Sequence, residues 1–129
     1  GYGRSLMLEP YVGCGAVAPA LLPHLARDDR SAVMAEIMAG AATLSLADAE
    51  PQSRYDLAAV ETRAERRGQG YALTGEKSHA LDGADADWFV VPARTAGAPG
   101  DVHGVSLFLV PRFAPGLTVR GLRAMDHRR

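Results

Sequence analysis

A metal site would need His, Cys or carboxylate ligands at short, regular spacing. His24, His79, His103 and His127 are spread along the chain and none stands at ligand spacing. "TGEKS" (Thr74–Ser78) echoes a phosphate-binding loop, but the upstream glycine that such a loop requires is missing. It reads better as a hairpin turn carrying a surface Lys77. "DGADAD" (Asp82–Asp87) is acidic but lacks the ligand count and register of a calcium loop, so it reads as a turn. Neither a Gly-x-Ser-x-Gly elbow nor a Gly-x-Gly-x-x-Gly helix start is present. Cys14 lies on an apolar helical stripe and reads as a small core residue. Glu61, Arg63, Glu65 and Arg67 alternate with apolar residues and read as a solvated strand face. No self-contained catalytic set emerges. One stretch remains without a role: "KSHAL" (Lys77–Leu81), too polar for core and too short for a helix.

The elements that must position this stretch are legible. Met7, Tyr11, Cys14, Ala18, Leu21 and Leu25 recur at spacings of four and three, one face of a helix. Pro10, Pro19 and Pro23 each remove a backbone donor, so this helix is expected to bend or break. A second helix carries Val33, Met34, Ile37 and Met38 as its stripe and stops at Gly40. From Thr43 onward the pattern becomes that of strands: "TLSLAD", "VETRAER", "YALTG", "WFVVPAR", "GVSLFLVP" and "LTVRGLR", separated by Gly-bearing turns. Helices followed by strands predict an α+β fold. We expect a helical segment over residues 1–42 and an antiparallel β-barrel-like domain over 43–129, with no helix inside it.

Composition narrows the function classes. The chain has 129 residues, with 14 basic and 15 acidic side chains and a net charge of -1. No basic face for a nucleic acid is indicated. No apolar run reaches the ~18 residues of a membrane span. The single Cys14 allows no internal disulfide, which suits a reducing compartment such as the cytoplasm. No signal peptide is visible. The chain begins without Met, already in helix-like sequence, and is expected to be a segment of a longer protein.

Read in order, "SLADAEP", "AERRGQGYALTGEKSHALDGADADWFVVPART" and "GVSLFLVPRFAPGLTVR" resemble the middle domain of the acyl-CoA dehydrogenase family. "GRSLMLEPYV" resembles the end of that family's N-terminal helical domain. Together they cover nearly the whole chain. "AEP" followed by "RYD" is most similar to the branch containing small subunits of pimeloyl-CoA dehydrogenase-like enzymes. The resemblance gives "KSHAL" a role. In the family, the strand after the Gly-x-Lys turn lies against the FAD isoalloxazine ring, and His79, Ala80 and Leu81 match that strand. Leu46, Ala47, Asp48 and Ala49 match the second wall, where backbone groups meet the ring edge. Ser53, Arg54, Tyr55 and Asp56 match a loop near the pyrophosphate or the acyl-CoA entrance. Ala49 stands where the family usually has Thr or Ser, so one hydroxyl to the flavin is lost. Arg54, Tyr55 and Asp56 replace the usual Gly-Ser-Asp, and Arg54 is suited to replace a phosphate-binding hydroxyl.

What the resemblance implies is a flavoprotein oxidoreductase of lipid catabolism. It takes acyl-CoA to 2,3-enoyl-CoA, binds FAD, passes electrons to an electron-transfer flavoprotein and assembles as a homo- or hetero-oligomer. The family's catalytic Glu belongs to a C-terminal helical domain, so the resemblance assigns no catalytic residue here, and Glu50 is not that base. Two other outcomes stay open: a non-catalytic subunit paired with an active homologue, and a flavin monooxygenase of the same fold.

Overall fold

The computed structural model describes residues 12–25 and 30–122. The expected stripe positions Met7 and Tyr11, and the end of "LTVRGLR" at Arg123, lie outside the described residues.

The first helix is broken, as its prolines require. It runs as a π-helical turn (Val12–Val17), one α-helical turn (α1, Ala18–Leu21) and a 3₁₀ turn (Leu22–His24). Pro19 and Pro23 each sit in the first positions of a new turn, where a missing N–H costs least. The second helix, α2, spans Arg30–Met38. Val33 and Ile37 of its stripe are buried, while Met38 is 81% exposed.

Five strands follow: β1 (Leu44–Leu46), β2 (Arg63–Arg67), β3 (Gly70–Thr74), β4 (Trp88–Arg94) and β5 (Val105–Pro111). No helix interrupts them. The α+β class is as expected, but the sheet is mixed and open rather than antiparallel and closed. β4 is its spine. It pairs antiparallel with β5 along its whole length, from Trp88↔Pro111 to Arg94↔Val105. Its other edge is shared: β1 lies parallel to it over Leu44↔Trp88 to Leu46↔Val90, and β2 meets it in parallel at Arg63↔Arg94. Pro92 falls between these two partners, at the point on that edge where no strand asks for its missing N–H. β2 and β3 form the expected hairpin, Arg63↔Thr74 to Arg67↔Gly70. The expected last strand does not form over its described part. Residues 117–122 are irregular, and Leu117 and Leu122 are 39% and 60% exposed.

Sheet alternation divides the apolar residues between two faces. Val90, Leu109 and Leu44 pack with Ala18, Leu22, Leu25, Val33 and Ile37 under the helices. Phe89 packs on the opposite face with Ala47 and Ala86, flanked by Val91, Val110 and Ala80. The helical layer approaches β1 closely. A Cβ on Gly13 would stand 2.2 Å from the Leu44 carbonyl oxygen. Next to it, Cys14 Sγ accepts the Leu44 N–H at 3.4 Å. Cys14 is thus half-buried core, as expected, and it also satisfies the outer edge of β1.

Candidate functional site

The helix-free face of the sheet forms the floor of a wide, open groove. Phe89, Val91 and Val110 line it, with Ala47 and the stretch from Lys77 to Ala84 along one wall. Farther along, Tyr71 and Phe108 meet edge to face, their ring centroids 5.1 Å apart. Ala47, His79, Ala80 and Leu81 therefore share one groove, although 30 or more positions separate the two segments in sequence.

Those segments are zipped together side by side. Ser45 Oγ donates to the Leu81 carbonyl at 2.7 Å. Ser78 N–H donates to the Ala49 carbonyl at 2.8 Å. Lys77 Nζ meets Glu50 Oε1 at 2.6 Å. As one partner advances from 45 to 50, the other recedes from 81 to 77, so the pieces run antiparallel without forming a regular ladder. Their remaining donors are unspent. Among the described residues, the backbone N–H groups of Asp48, Ala49, Lys77, His79, Ala80 and Leu81 have no acceptor. Ala47 N–H is the exception, donating to the Val90 carbonyl at 2.9 Å. Leu46 packs toward the helical core and offers the groove no side chain.

The loop of Ser53, Arg54, Tyr55 and Asp56 does not line the groove. Ser53 is buried and its hydroxyl is spent within its own turn, accepting Glu50 N–H at 3.1 Å and donating to the Glu50 carbonyl at 3.0 Å. Arg54, Tyr55 and Asp56 are exposed. Among the described non-glycine residues, only Arg54, Tyr55, His79 and Asp82 have positive φ, at 43°, 72°, 53° and 55°. Left-handed backbone is disfavoured for side chains with a Cβ and concentrates at binding loops. Arg54 and Tyr55 fall in the 53–56 loop, and His79 and Asp82 in or directly beside the 79–81 stretch, both singled out by sequence.

Glu50 and Lys77 are the residues that sequence reasoning misplaced or passed over. Lys77 is not on the hairpin surface. Its side chain is 11% exposed, and that of its partner Glu50 is 2% exposed. Nothing in "TGEKS" distinguishes a lysine that turns inward, because its partner lies 27 positions upstream. Glu50 is a junction. Besides Lys77, its carboxylate accepts Gln52 Nε2 at 2.7 Å, Glu61 N–H at 2.8 Å and Thr62 N–H at 3.1 Å. Burial pushes its carboxyl pKa up, but the Lys77 ammonium, the nearby Thr62 hydroxyl and the two backbone N–H groups outweigh it and hold the group at about 2. The Thr62 oxygen lies close enough to matter without meeting any partner at hydrogen-bonding geometry.

Gly75 makes room for this junction. A Cβ there would stand 2.4 Å from Thr62 Oγ1 and 2.7 Å from Thr62 Cα, and the second of these is backbone that cannot swing aside. Gly75→Ala is expected to destabilise the protein by about 1–3 kcal/mol, the usual penalty of overpacking. Chemical denaturation would measure it, and a variant as stable as the wild type would contradict the close approach.

The acidic turn is structural. Asp87 Oδ2 accepts Thr43 N–H at 2.8 Å and the Thr43 hydroxyl at 2.9 Å, tying the turn to the start of β1. Among the described residues no group of three His, Cys, Asp or Glu side chains could hold a metal ion. None of the described helices is long and apolar enough to cross a membrane.

A family profile described as acyl-CoA dehydrogenase, middle domain, matches residues 45–128. The chain belongs to the acyl-CoA dehydrogenase family. Cyclohex-1-ene-1-carbonyl-CoA dehydrogenase from Geobacter metallireducens is 42% identical over 81 residues, spanning 61% of this chain and 21% of that protein. The ChsE4-ChsE5 complex from Mycobacterium tuberculosis contains a similar chain, with a TM-score of 0.80 and 26% identity, covering 98% of this chain and 32% of that one. PigA, solved as its FAD complex, aligns with a TM-score of 0.75 and 26% identity over 88% of this chain and 29% of its own. The chain thus spans a fifth to a third of the length of these relatives. The open mixed sheet is this family's middle domain, and the groove lies on its helix-free face.

Proposed function

We propose that this chain supplies the flavin-facing wall of an FAD-dependent acyl-CoA dehydrogenase, which oxidises acyl-CoA to 2,3-enoyl-CoA. One observation carries the reading: segments 45–50 and 77–81, zipped together at the groove edge, leave the backbone N–H groups of Asp48, Ala49, Lys77, His79, Ala80 and Leu81 without an acceptor among the described residues. A flat, acceptor-rich ring fits such an edge, and the apolar floor of Phe89, Val91 and Val110 suits an aromatic face. The FAD-bound relative and the CoA-thioester name of another point the same way.

When bound, the flavin supplies the acceptor for the substrate hydride. The chain's own residues position it. In this reading Asp48, Ala49, His79, Ala80 and Leu81 offer N–H groups that no described residue accepts to the ring edge, and His79, held in left-handed backbone, offers an imidazole to stack or edge against it. Glu50 does not take the substrate proton. Its carboxylate is enclosed by donors and held at about 2, far too weak a base for general-base work near neutral pH. Ser53–Asp56 face the acyl-CoA entrance in this reading, through Arg54 and backbone rather than through the spent Ser53 hydroxyl. An electron-transfer flavoprotein as acceptor, homo- or hetero-oligomeric assembly and a cytoplasmic location complete it. The non-catalytic subunit of a heteromeric enzyme is the second reading, favoured by the likeness to a chain of the ChsE4-ChsE5 complex.

A flavin titration of the intact protein tests both. Wild type is expected to bind FAD, and His79→Ala and His79→Asn to bind it several-fold more weakly, each having lost a stacking partner worth about 1 kcal/mol. Asn tolerates the left-handed backbone, so agreement between the two variants assigns the loss to the ring. A wild-type protein that binds no flavin would favour the non-catalytic reading.

A further inference from the structure

We propose that the Glu50–Lys77 ion pair is a positioning clamp for the flavin, locking the two backbone segments that present N–H groups to it. This rests on the function proposed above and adds a role for two residues that do not themselves face the ring. The geometry points to it. Glu50 directly follows Ala49, the last residue of one segment, and Lys77 precedes His79 by two positions in the other. Their 2.6 Å contact closes the zipper at one end, and the Ser45–Leu81 bond closes it at the other. Between them only the Ser78–Ala49 backbone bond crosses. The other three donors to Glu50 come from Gln52, Glu61 and Thr62, so the carboxylate is fixed to the start of β2 whatever Lys77 does. Lys77 is therefore the group that ties the His79–Leu81 segment to this fixed point. Two charges this enclosed need each other, since either one alone would be left buried and unpaired. Were the pair only a source of stability, an uncharged pair of similar size would replace it without loss of FAD affinity. As a clamp it is directional, and a neutral pair would leave the segments folded but free to slide.

The test is FAD affinity of the folded intact protein, measured by titrating deflavinated samples with FAD, alongside the melting temperature of each sample. Lys77→Met is expected to bind FAD at least tenfold more weakly than wild type. The decisive variant is Lys77→Met combined with Glu50→Gln, which leaves no unpaired buried charge and whose amide oxygen keeps one of the two backbone N–H bonds from Glu61 and Thr62. Its melting temperature is expected to rise above that of Lys77→Met, short of wild type by the other bond, while its FAD affinity stays at least tenfold weaker. Lys77→Arg, which can restore the pair, is expected to bind within threefold of wild type. If the double variant recovers FAD affinity together with its melting temperature, the pair is merely structural and the clamp is overturned, with the FAD reading intact. If wild type binds no flavin, the functional reading falls and takes this proposal with it.

Discussion

Replacing Arg94 with Met in the intact protein is expected to cost about 4 kcal/mol or more of stability, the largest loss we anticipate from a single substitution outside the groove. Arg94 ends β4 and is 2% exposed. Among the described residues no carboxylate pairs with it. Instead its five N–H groups meet five backbone carbonyls. Nε donates to Val60 at 3.0 Å, Nη2 to Ala58 at 2.8 Å and Asp101 at 3.3 Å, and Nη1 to His103 at 3.0 Å and Ala96 at 3.4 Å. Its backbone N–H adds a sixth bond, to Thr62 at 2.7 Å. These acceptors belong to the chain entering β2 and to the β4–β5 connection, neither of which has a ladder of its own there. The guanidinium takes the place of that missing secondary structure. Hydrogen bonds to a charged donor contribute ~1.5–3 kcal/mol each, and buried carbonyls left without a donor add their own penalty. The sum is not additive, and some carbonyls will reach water, so about 4 kcal/mol is the lower part of the range. Arg94→Lys keeps the charge but offers three donors from one nitrogen, which cannot fan out across five acceptors. It is expected to recover less than half of the loss in chemical denaturation. A Lys variant as stable as wild type would show that charge alone matters.

The sequence signals that succeeded were local and periodic. Val60, Thr62 and Ala64 are buried and Glu61, Arg63 and Glu65 exposed, as the alternation predicts, although the ladder itself starts only at Arg63. Pro19 and Pro23 stand where the first helix breaks into new turns. The signals that failed required knowledge of a distant partner. "LTVRGLR" alternates like a strand, yet among the described residues no strand pairs with residues 117–122, and alternation without a neighbouring strand makes no ladder. β1 lies parallel to β4 across about 40 intervening positions, and three residues cannot announce their orientation. Arg94 and Lys77 follow strands or turns where a cation is ordinarily solvated, and both turn inward because acceptors from elsewhere surround them. Of the residues the resemblance named, Ala47, His79, Ala80 and Leu81 line the groove, and Leu46, Asp48 and Ala49 do not. The resemblance could not reveal that Glu50 and Lys77 tie the two segments together, nor that Ser53 spends its hydroxyl on its own turn.

Lys77→Met should also be read in stability, where its effect ought to depend on pH. Removing one partner of a buried ion pair costs about 3–5 kcal/mol, because the remaining charge stays buried without compensation. Glu50 has a folded pKa of about 2, below its ordinary 4.5. Its stabilising contribution is therefore complete above pH 4.5 and is lost as the pH falls toward 2. Taken through linkage, that shift corresponds to roughly 3 kcal/mol, in line with the cost of breaking the pair. In the wild type, acid protonates Glu50 and leaves the Lys77 ammonium enclosed with no counter-charge. In Lys77→Met no ammonium remains to be stranded, and protonation relieves the orphaned carboxylate. The two proteins are thus expected to differ by several kcal/mol at pH 7 and to converge between about pH 4.5 and pH 2, as Glu50 titrates in the wild type. Denaturant titrations of both at a series of pH values would trace the convergence. A gap that stays constant from neutral pH to pH 3 would mean that the loss comes from the packing of the Lys77 stem and not from its charge.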